Sequence, residues 1–254
     1  MIPPRMETIT IEVEGGIAWM YLDRPEKLNA MNPAMFEELG VAADYLRDED
    51  TVKIAVITGR GRAFCAGIDL TSLQNYGGAD AHLFRTVVRK IQKNFRAFEL
   101  IEKPVISMVN GHALGAGTEL ALASDMILAS TEATFGLLEV NVGLVVDLGG
   151  TQRLPRTVGV HRAKELILTG KKIDAIEADR IGLVNAVYEP DELLPKTIEL
   201  ANHLMSLPAV PVGLCKIAID RSRDGSIETG LEFEAQSQSL AFWALMERMK
   251  GQQG

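Results

Sequence analysis

Apolar residues run in short blocks along this chain, and the blocks change period. ITIEVEGGIAWMYLDRP, residues 9–25, reads as two strands joined at Glu14–Gly15–Gly16, with Pro25 ending the second. Asn32 then sits as a helix N-cap with Pro33 at the first helical position, and Phe36, Leu39, Ala43 and Leu46 follow at helical spacing. VKIAVITG, residues 52–59, is a continuous apolar strand of the kind covered on both faces. It runs into GRGRAFCAGIDL, residues 59–70, which reads as a loop. Residues 81–101 read as a helix, and KPVISMVNG as a second buried strand started by Pro104. GHALGAGTELALASD, residues 111–125, is a glycine-rich turn opening a helix, and MILAS a short strand. Helices are expected near residues 161–168, 175–180 and 191–204, a late strand at LVNAVY, and helix alone from Pro211 onward. Strand, strand, helix repeats and then yields to helices, which points to an α/β core with a helical C-terminal region.

One stretch does not suit its surroundings. FGLLEVNVGLVVDLGG, residues 135–150, is almost wholly apolar, yet carries Glu139 and Asp147. A charged carboxylate buried without a partner costs roughly several kcal/mol. A solvated loop for Glu139, and a turn or helix cap for Asp147, would explain each acid separately.

Composition mainly excludes. With 254 residues, one large domain, or one domain with an appendage, is expected. The net charge of −8 argues against non-specific nucleic-acid binding, which needs basic surface. Two cysteines, Cys65 and Cys215, make neither a disulfide framework nor a zinc site. No apolar run reaches the roughly 18 residues of a membrane span. MIPPRMETIT has no signal-like core, so a cytoplasmic location is expected. The four histidines show no HExxH spacing, and neither a GxSxG elbow nor a GxxxxGK[ST] loop is present. GRGRAFCAG begins like a dinucleotide fingerprint but lacks the third glycine in register.

What remains is two glycine turns and the acids. CAGID and LGAGTEL each follow a buried strand, and their small residues let a ligand approach the backbone. Two such turns can aim two N–H donors at one oxygen, which is how an oxyanion hole is built. Taken singly, each turn is also an ordinary strand-to-helix connection, and Glu119 an ordinary acid in a first helical turn.

Taken together, these segments resemble the crotonase superfamily, also called the enoyl-CoA hydratase/isomerase family. The resemblance runs from LDRPEKLNAM through VITGRGRAFCAGIDL, KPVISMVNGHALGAGTELALASD and FGLLEVNVGLVVDLGGTQRLPRTVG to LTGKKIDAIEADRIGLVNAV. It implies an α/β fold, a crotonase-like spiral of ββα units over residues 1–194. Residues 195–254 would form a C-terminal all-helical region that builds a homotrimer or a hexamer of paired trimers. The implied substrate is an acyl-CoA thioester. Coenzyme A enters as part of that substrate, with no separate cofactor, metal, nucleic acid or membrane. The thioester oxygen would lie between the backbone N–H groups of Ile68 and Ala116, the latter standing where many members have glycine. Alanine keeps the role if the turn needs no positive φ there.

By the same resemblance Glu119 and Glu139 match the two glutamates with which hydratases add water across a C2=C3 bond. Asp147, eight residues after Glu139, resembles the aspartate of dienoyl-CoA isomerases, which carry aspartate where this chain has Glu119. Hydration is therefore the leading expectation and Δ3,5-Δ2,4-dienoyl-CoA isomerisation the alternative. A member that binds CoA or RNA without catalysis is a third, disfavoured by the retained glutamates and the acidic balance. Lys27, Leu28, Ala30, Ala66 and Asp69 would line the coenzyme A groove. The ending LAFWALMERMKGQQG departs from the EGxxAFxEKRxPxF-like tail of many members, which contributes to a neighbour's ligand site.

Overall fold

The computed structural model describes residues 2–76, 78 and 80–251. Residues 252–254, the end of the expected oligomerisation region, and residues 1, 77 and 79 lie outside the described residues. The chain begins with β1 (Ile9–Glu14), β2 (Ile17–Leu22), α1 (Pro33–Asp48), β3 (Ile54–Gly59), β4 (Ala63–Cys65) and α2 (Ala81–Glu99). It continues with β5 (Val105–Val109), β6 (His112–Leu114), α3 (Ala116–Ala121), β7 (Met126–Ser130) and β8 (Thr134–Gly136). After a 3-10 turn at Glu139–Val142 come α4 (Gly150–Val158), α5 (Val160–Thr169), β9 (Ile173–Asp174), α6 (Ala175–Arg180) and β10 (Ala186–Tyr188). Helices α7 (Pro190–Ser206), α8 (Ala209–Arg221) and α9 (Ile227–Gly251) end the described chain.

Two sheets form. The larger has the order β1-β2-β3-β5-β7-β10, antiparallel at β1-β2 and parallel from β2 to β10. Its central strands β3 and β5 are buried at every position because both faces are covered. Ala55 and Ile57 of β3 and Val105 and Val109 of β5 point into the main core. Ile54, Val56, Ile106 and Met108 point to the opposite side, against Leu193 and Ala201 of α7. The expected boundary at residues 194/195 therefore falls inside a helix that packs on this sheet. α1 has the N-cap read from the sequence: the Asn32 side chain accepts from the Met35 N–H at 2.9 Å.

The second sheet, order β4-β6-β8-β9, was not foreseen. β4 lies inside the segment read as a loop and β6 inside the segment read as a turn. Each pair β3/β4, β5/β6 and β7/β8 supplies one strand to each sheet, which is the repeating unit of the fold. α4, which the reading of Asp147 as a helix cap allows for, has Gly149 as its N-cap and Pro155 inside it.

α8 docks on this core through charge. The Lys216 side chain is 7 % exposed, and its Nζ lies 2.8 Å from Asp125 Oδ2 and 3.2 Å from the Lys103 carbonyl oxygen. Burial raises the Asp125 pKa, and the Lys216 charge opposes that rise. Lys216→Met is expected to cost about 3–5 kcal/mol, because it leaves a buried carboxylate uncompensated. Urea unfolding checks this, and a midpoint within error of wild type would show the pair to be dispensable. Among the described residues, no single helix is long and apolar enough to cross a membrane.

Candidate active site

The small sheet gathers the chemistry. β4 and β6 run parallel, with Cys65 beside Ala113, and β6 and β8 run parallel, with Leu114 beside Gly136. Their C-terminal ends therefore lie side by side, the place where open parallel sheets present ligand sites. β4 leads into Ala66–Gly67–Ile68, β6 into Gly115 and α3, and β8 into Glu139. The two glycine turns abut: a Cβ on Gly67 would lie 2.9 Å from the Leu114 carbonyl oxygen and 3.8 Å from Gly115 Cα. Gly115 has φ +50°, and a Cβ there would meet Glu139 Oε1 at 2.9 Å. Glycine is thus required both by the backbone conformation and by a carboxylate pressed against it.

Ile68 and Ala116 stand at the start of what each turn offers. Met31 brackets Ile68, donating to the Gly67 carbonyl at 2.8 Å and accepting from the Asp69 N–H at 2.9 Å. Neither the Ile68 nor the Ala116 N–H donates to an acceptor among the described residues. The positive φ falls on Gly115 and not on Ala116, so alanine fits the turn without strain.

Three acids meet here. Glu119 is 1 % exposed, and its Oε1 accepts from the N–H groups of both Leu148 and Gly150 at 2.8 Å. Burial is the main cause pushing its pKa up to about 8; the Gly150 and Leu148 hydrogen bonds oppose the rise, and the charges of Glu139 and Asp147 add to it. Burial, then the Asp147 charge, raises Glu139 too, against the pull of its own N–H. Its Oε2 is buried with no hydrogen-bond partner among the described residues. Burial likewise raises Asp147. Gly149, and not Asp147, is the N-cap of α4, so the Asp147 carboxyl is not spent as a cap.

The expected coenzyme A residues are also brought together. The Ala66 N–H donates to the Leu28 carbonyl at 2.9 Å, which ties the 27–30 loop to the 66–69 turn. Lys27 is exposed and Ala30 half-buried. The Asp69 carboxylate is engaged: Oδ1 accepts from the Thr71 hydroxyl at 2.6 Å, and Oδ2 from both Arg24 Nη atoms at 3.2 Å. Its charge is therefore matched within the chain. Asn29 was missed. It is fully buried at φ +56°, accepts from the Arg24 N–H at 2.9 Å, and donates to the Arg60 and Ala63 carbonyls at 2.9 and 2.8 Å. A polar residue between Leu and Ala in PEKLNA was the only trace it left in the sequence.

A family model described as "Enoyl-CoA hydratase/isomerase" matches residues 12–253. The chain belongs to the enoyl-CoA hydratase/isomerase family. It is 40 % identical over 237 residues to a crotonyl-CoA hydratase of Syntrophomonas wolfei, covering 93 % of this chain and 90 % of that one. The crystal structure of an enoyl-CoA hydratase from Bacillus anthracis superposes with a TM-score of 0.86 at 36 % identity, over 92 % and 90 % of the two chains. A Thermobifida fusca chain solved in complex with acetoacetyl-CoA gives a TM-score of 0.85 at 34 % identity, over 93 % and 95 %. The protein is thus an enzyme of the enoyl-CoA hydratase/isomerase family with the α/β crotonase fold, as its sequence led one to expect.

Proposed function

We propose that this chain adds water across the C2=C3 bond of a 2-enoyl-CoA thioester. The observation that carries the reading is the meeting of Glu119 and Glu139, both with raised pKa, beside two unspent backbone N–H groups. The thioester oxygen lies between the Ile68 and Ala116 N–H groups. Polarised in this way, the enoyl chain is electrophilic at C3. One glutamate takes a proton from water as its oxygen bonds to C3, and the other delivers a proton to C2. Between these events negative charge grows on the thioester oxygen, where the N–H groups hold it more strongly than in the ground state. Two carboxyls facing one apolar pocket do not both ionise at neutral pH, so the pair keeps both an acid and a base at hand. Lys27, Leu28, Ala30 and Ala66 line the coenzyme A groove. The name of the Syntrophomonas relative supports a short acyl chain.

A second reading rests on Asp147, whose carboxyl does not cap α4 and whose charge acts on both Glu119 and Glu139. With Glu139 it would move a proton along a 3,5-dienoyl chain to give the 2,4-dienoyl isomer. The deciding experiment follows crotonyl-CoA by loss of its conjugated absorbance, beside a 3,5-dienoyl-CoA by gain of the 2,4-dienoyl absorbance. Fast hydration with little isomerisation is expected, and the reverse would transfer the work to Glu139 and Asp147. Asp147→Asn is expected to keep hydration within about threefold, since the residue lies outside the water-adding pair, and to abolish any isomerisation. A hydration loss of the size general acid–base catalysis supplies, about 10²–10⁴-fold, would make Asp147 a third proton carrier.

The C-terminal helices fit the proposed trimer or paired trimers. α9 carries Leu240, Phe242 and Trp243 at 59, 56 and 67 % exposure, an apolar display suited to a partner surface. Sedimentation that finds only monomers at micromolar concentration would remove this part of the reading.

A further inference from the structure

We infer that Arg153 and Glu99 are positioning residues: a buried clamp that holds the 147–150 turn so that two of its N–H groups grip one oxygen of Glu119. The inference rests on the reading of Glu119 as a proton carrier. Arg153 lies in α4 and Glu99 at the end of α2. Arg153 Nε and Nη2 donate to Glu99 Oε1 and Oε2 at 2.9 and 2.8 Å, the forked pairing that fixes a guanidinium plane. Both side chains are nearly closed to solvent, at 10 and 12 % exposure. The third arm, Nη1, donates to the Leu148 carbonyl at 2.8 Å. A second α2 side chain takes the preceding carbonyl: Gln92 Nε2 donates to the Asp147 oxygen at 2.6 Å. Two consecutive carbonyls of the turn are thus held by side chains, while its Leu148 and Gly150 N–H groups serve Glu119.

Gly149 is what admits the guanidinium, because a Cβ there would lie 1.9 Å from Arg153 Nη1. A buried ion pair is weak ground for stability alone, since well-packed apolar residues often do as well. What such residues cannot do is fix a carbonyl, and with it the direction of the neighbouring N–H groups. Arg223 and Arg96 approach Glu99 only loosely, at 3.6 and 3.7 Å, and cannot replace the fork.

The consequence for chemistry has a fixed direction. The side-chain charges acting on Glu119 are Glu139 and Asp147, both negative, so its ionised form is supported by those two N–H groups. Loosening the turn weakens that support and makes Glu119 hold its proton to higher pH. Whether the working form is ionised or protonated, the corresponding limb of the pH–rate profile moves upward.

The test compares wild type, Arg153→Lys, Glu99→Gln and Glu119→Gln with crotonyl-CoA across pH. Lysine keeps a cation facing Glu99 but cannot reach both Glu99 and the Leu148 carbonyl in one plane. Arg153→Lys is expected to lower kcat about tenfold, with KM within about twofold, and to move the Glu119 limb up by about one pH unit, a shift of the size one weakened hydrogen bond produces. Glu99→Gln, which leaves Arg153 in place, gives a smaller shift in the same direction and keeps the test available if the lysine variant does not fold. An unmoved limb with unchanged kcat overturns the clamp, as does a loss carried by KM with the limb in place. If Glu119→Gln retains full turnover, the proton-carrier reading fails and the clamp's role fails with it. If Glu119→Gln is inactive while both clamp variants behave as wild type, the clamp alone is lost.

Discussion

Glu119→Gln is expected to lose about 10²–10⁴-fold in kcat, the range that general acid–base catalysis supplies, and yet to gain stability in alkaline solution. The variant keeps an oxygen to accept from the Leu148 and Gly150 N–H groups, so the turn has no reason to move. What it loses is a transferable proton. The stability gain follows from linkage. In the folded enzyme Glu119 holds its proton up to about pH 8, whereas an ordinary solvated glutamate, as in an unfolded chain, releases it near 4.5. Between those values the folded state binds more protons than the unfolded one, so wild-type stability falls as pH rises through that window. Glutamine does not titrate, so this contribution to the slope is absent in the variant. Urea unfolding at pH 5 and pH 8.5 measures the difference between the two proteins. An equal pH dependence in both would place the Glu119 pKa near its ordinary value and remove the electrostatic case for its role. Glu139→Gln should show a comparable loss of turnover with nearly intact binding of the CoA ester. Equal loss of binding would make Glu139 a structural acid.

Gly67→Ala is expected to cost about 10²–10³-fold in kcat, the worth of one oxyanion donor, along with about 1–3 kcal/mol of stability for the strained backbone. Gly67 has φ +102°, and an added methyl would meet the Leu114 carbonyl at 2.9 Å. Relief comes from separating the 66–68 turn from the 114–116 turn, which moves the Ile68 and Ala116 N–H groups off a shared oxygen. Steady-state kinetics with crotonyl-CoA separate the two effects, because the oxyanion contribution falls on kcat. Wild-type kcat in this variant would mean that the Ile68 N–H does not serve the transition state.

Long elements could be read because their period had room to repeat. β3 and β5 each offer five or six buried positions, and α1 has its cap and its spacing in plain view. The small sheet could not be read. β4, β6 and β8 are three residues each, too short for alternation to register, and glycines on either side mimic a loop. The acids stood out for the opposite reason: Glu139 and Asp147 in an apolar run are costly unless used. Their supports stayed hidden, since the Leu148 and Gly150 N–H groups belong to the backbone and carry no residue identity. Asn29 and Arg153 were hidden as well, because buried polar residues that brace a loop have the same letters as those in solvent.

The small sheet also bears on how readily such a scaffold changes trades. Glu119 sits on the connection after β6, and Glu139 and Asp147 on the connection after β8, none within a strand of the β4-β6-β8 ladder. Exchanging an acid at one of these posts changes no residue of a paired strand. Under the proposed function, the framework that activates the thioester would be a fixed chassis and the proton carriers its interchangeable fittings. A family whose one name joins hydratases to isomerases is what such a division of labour permits.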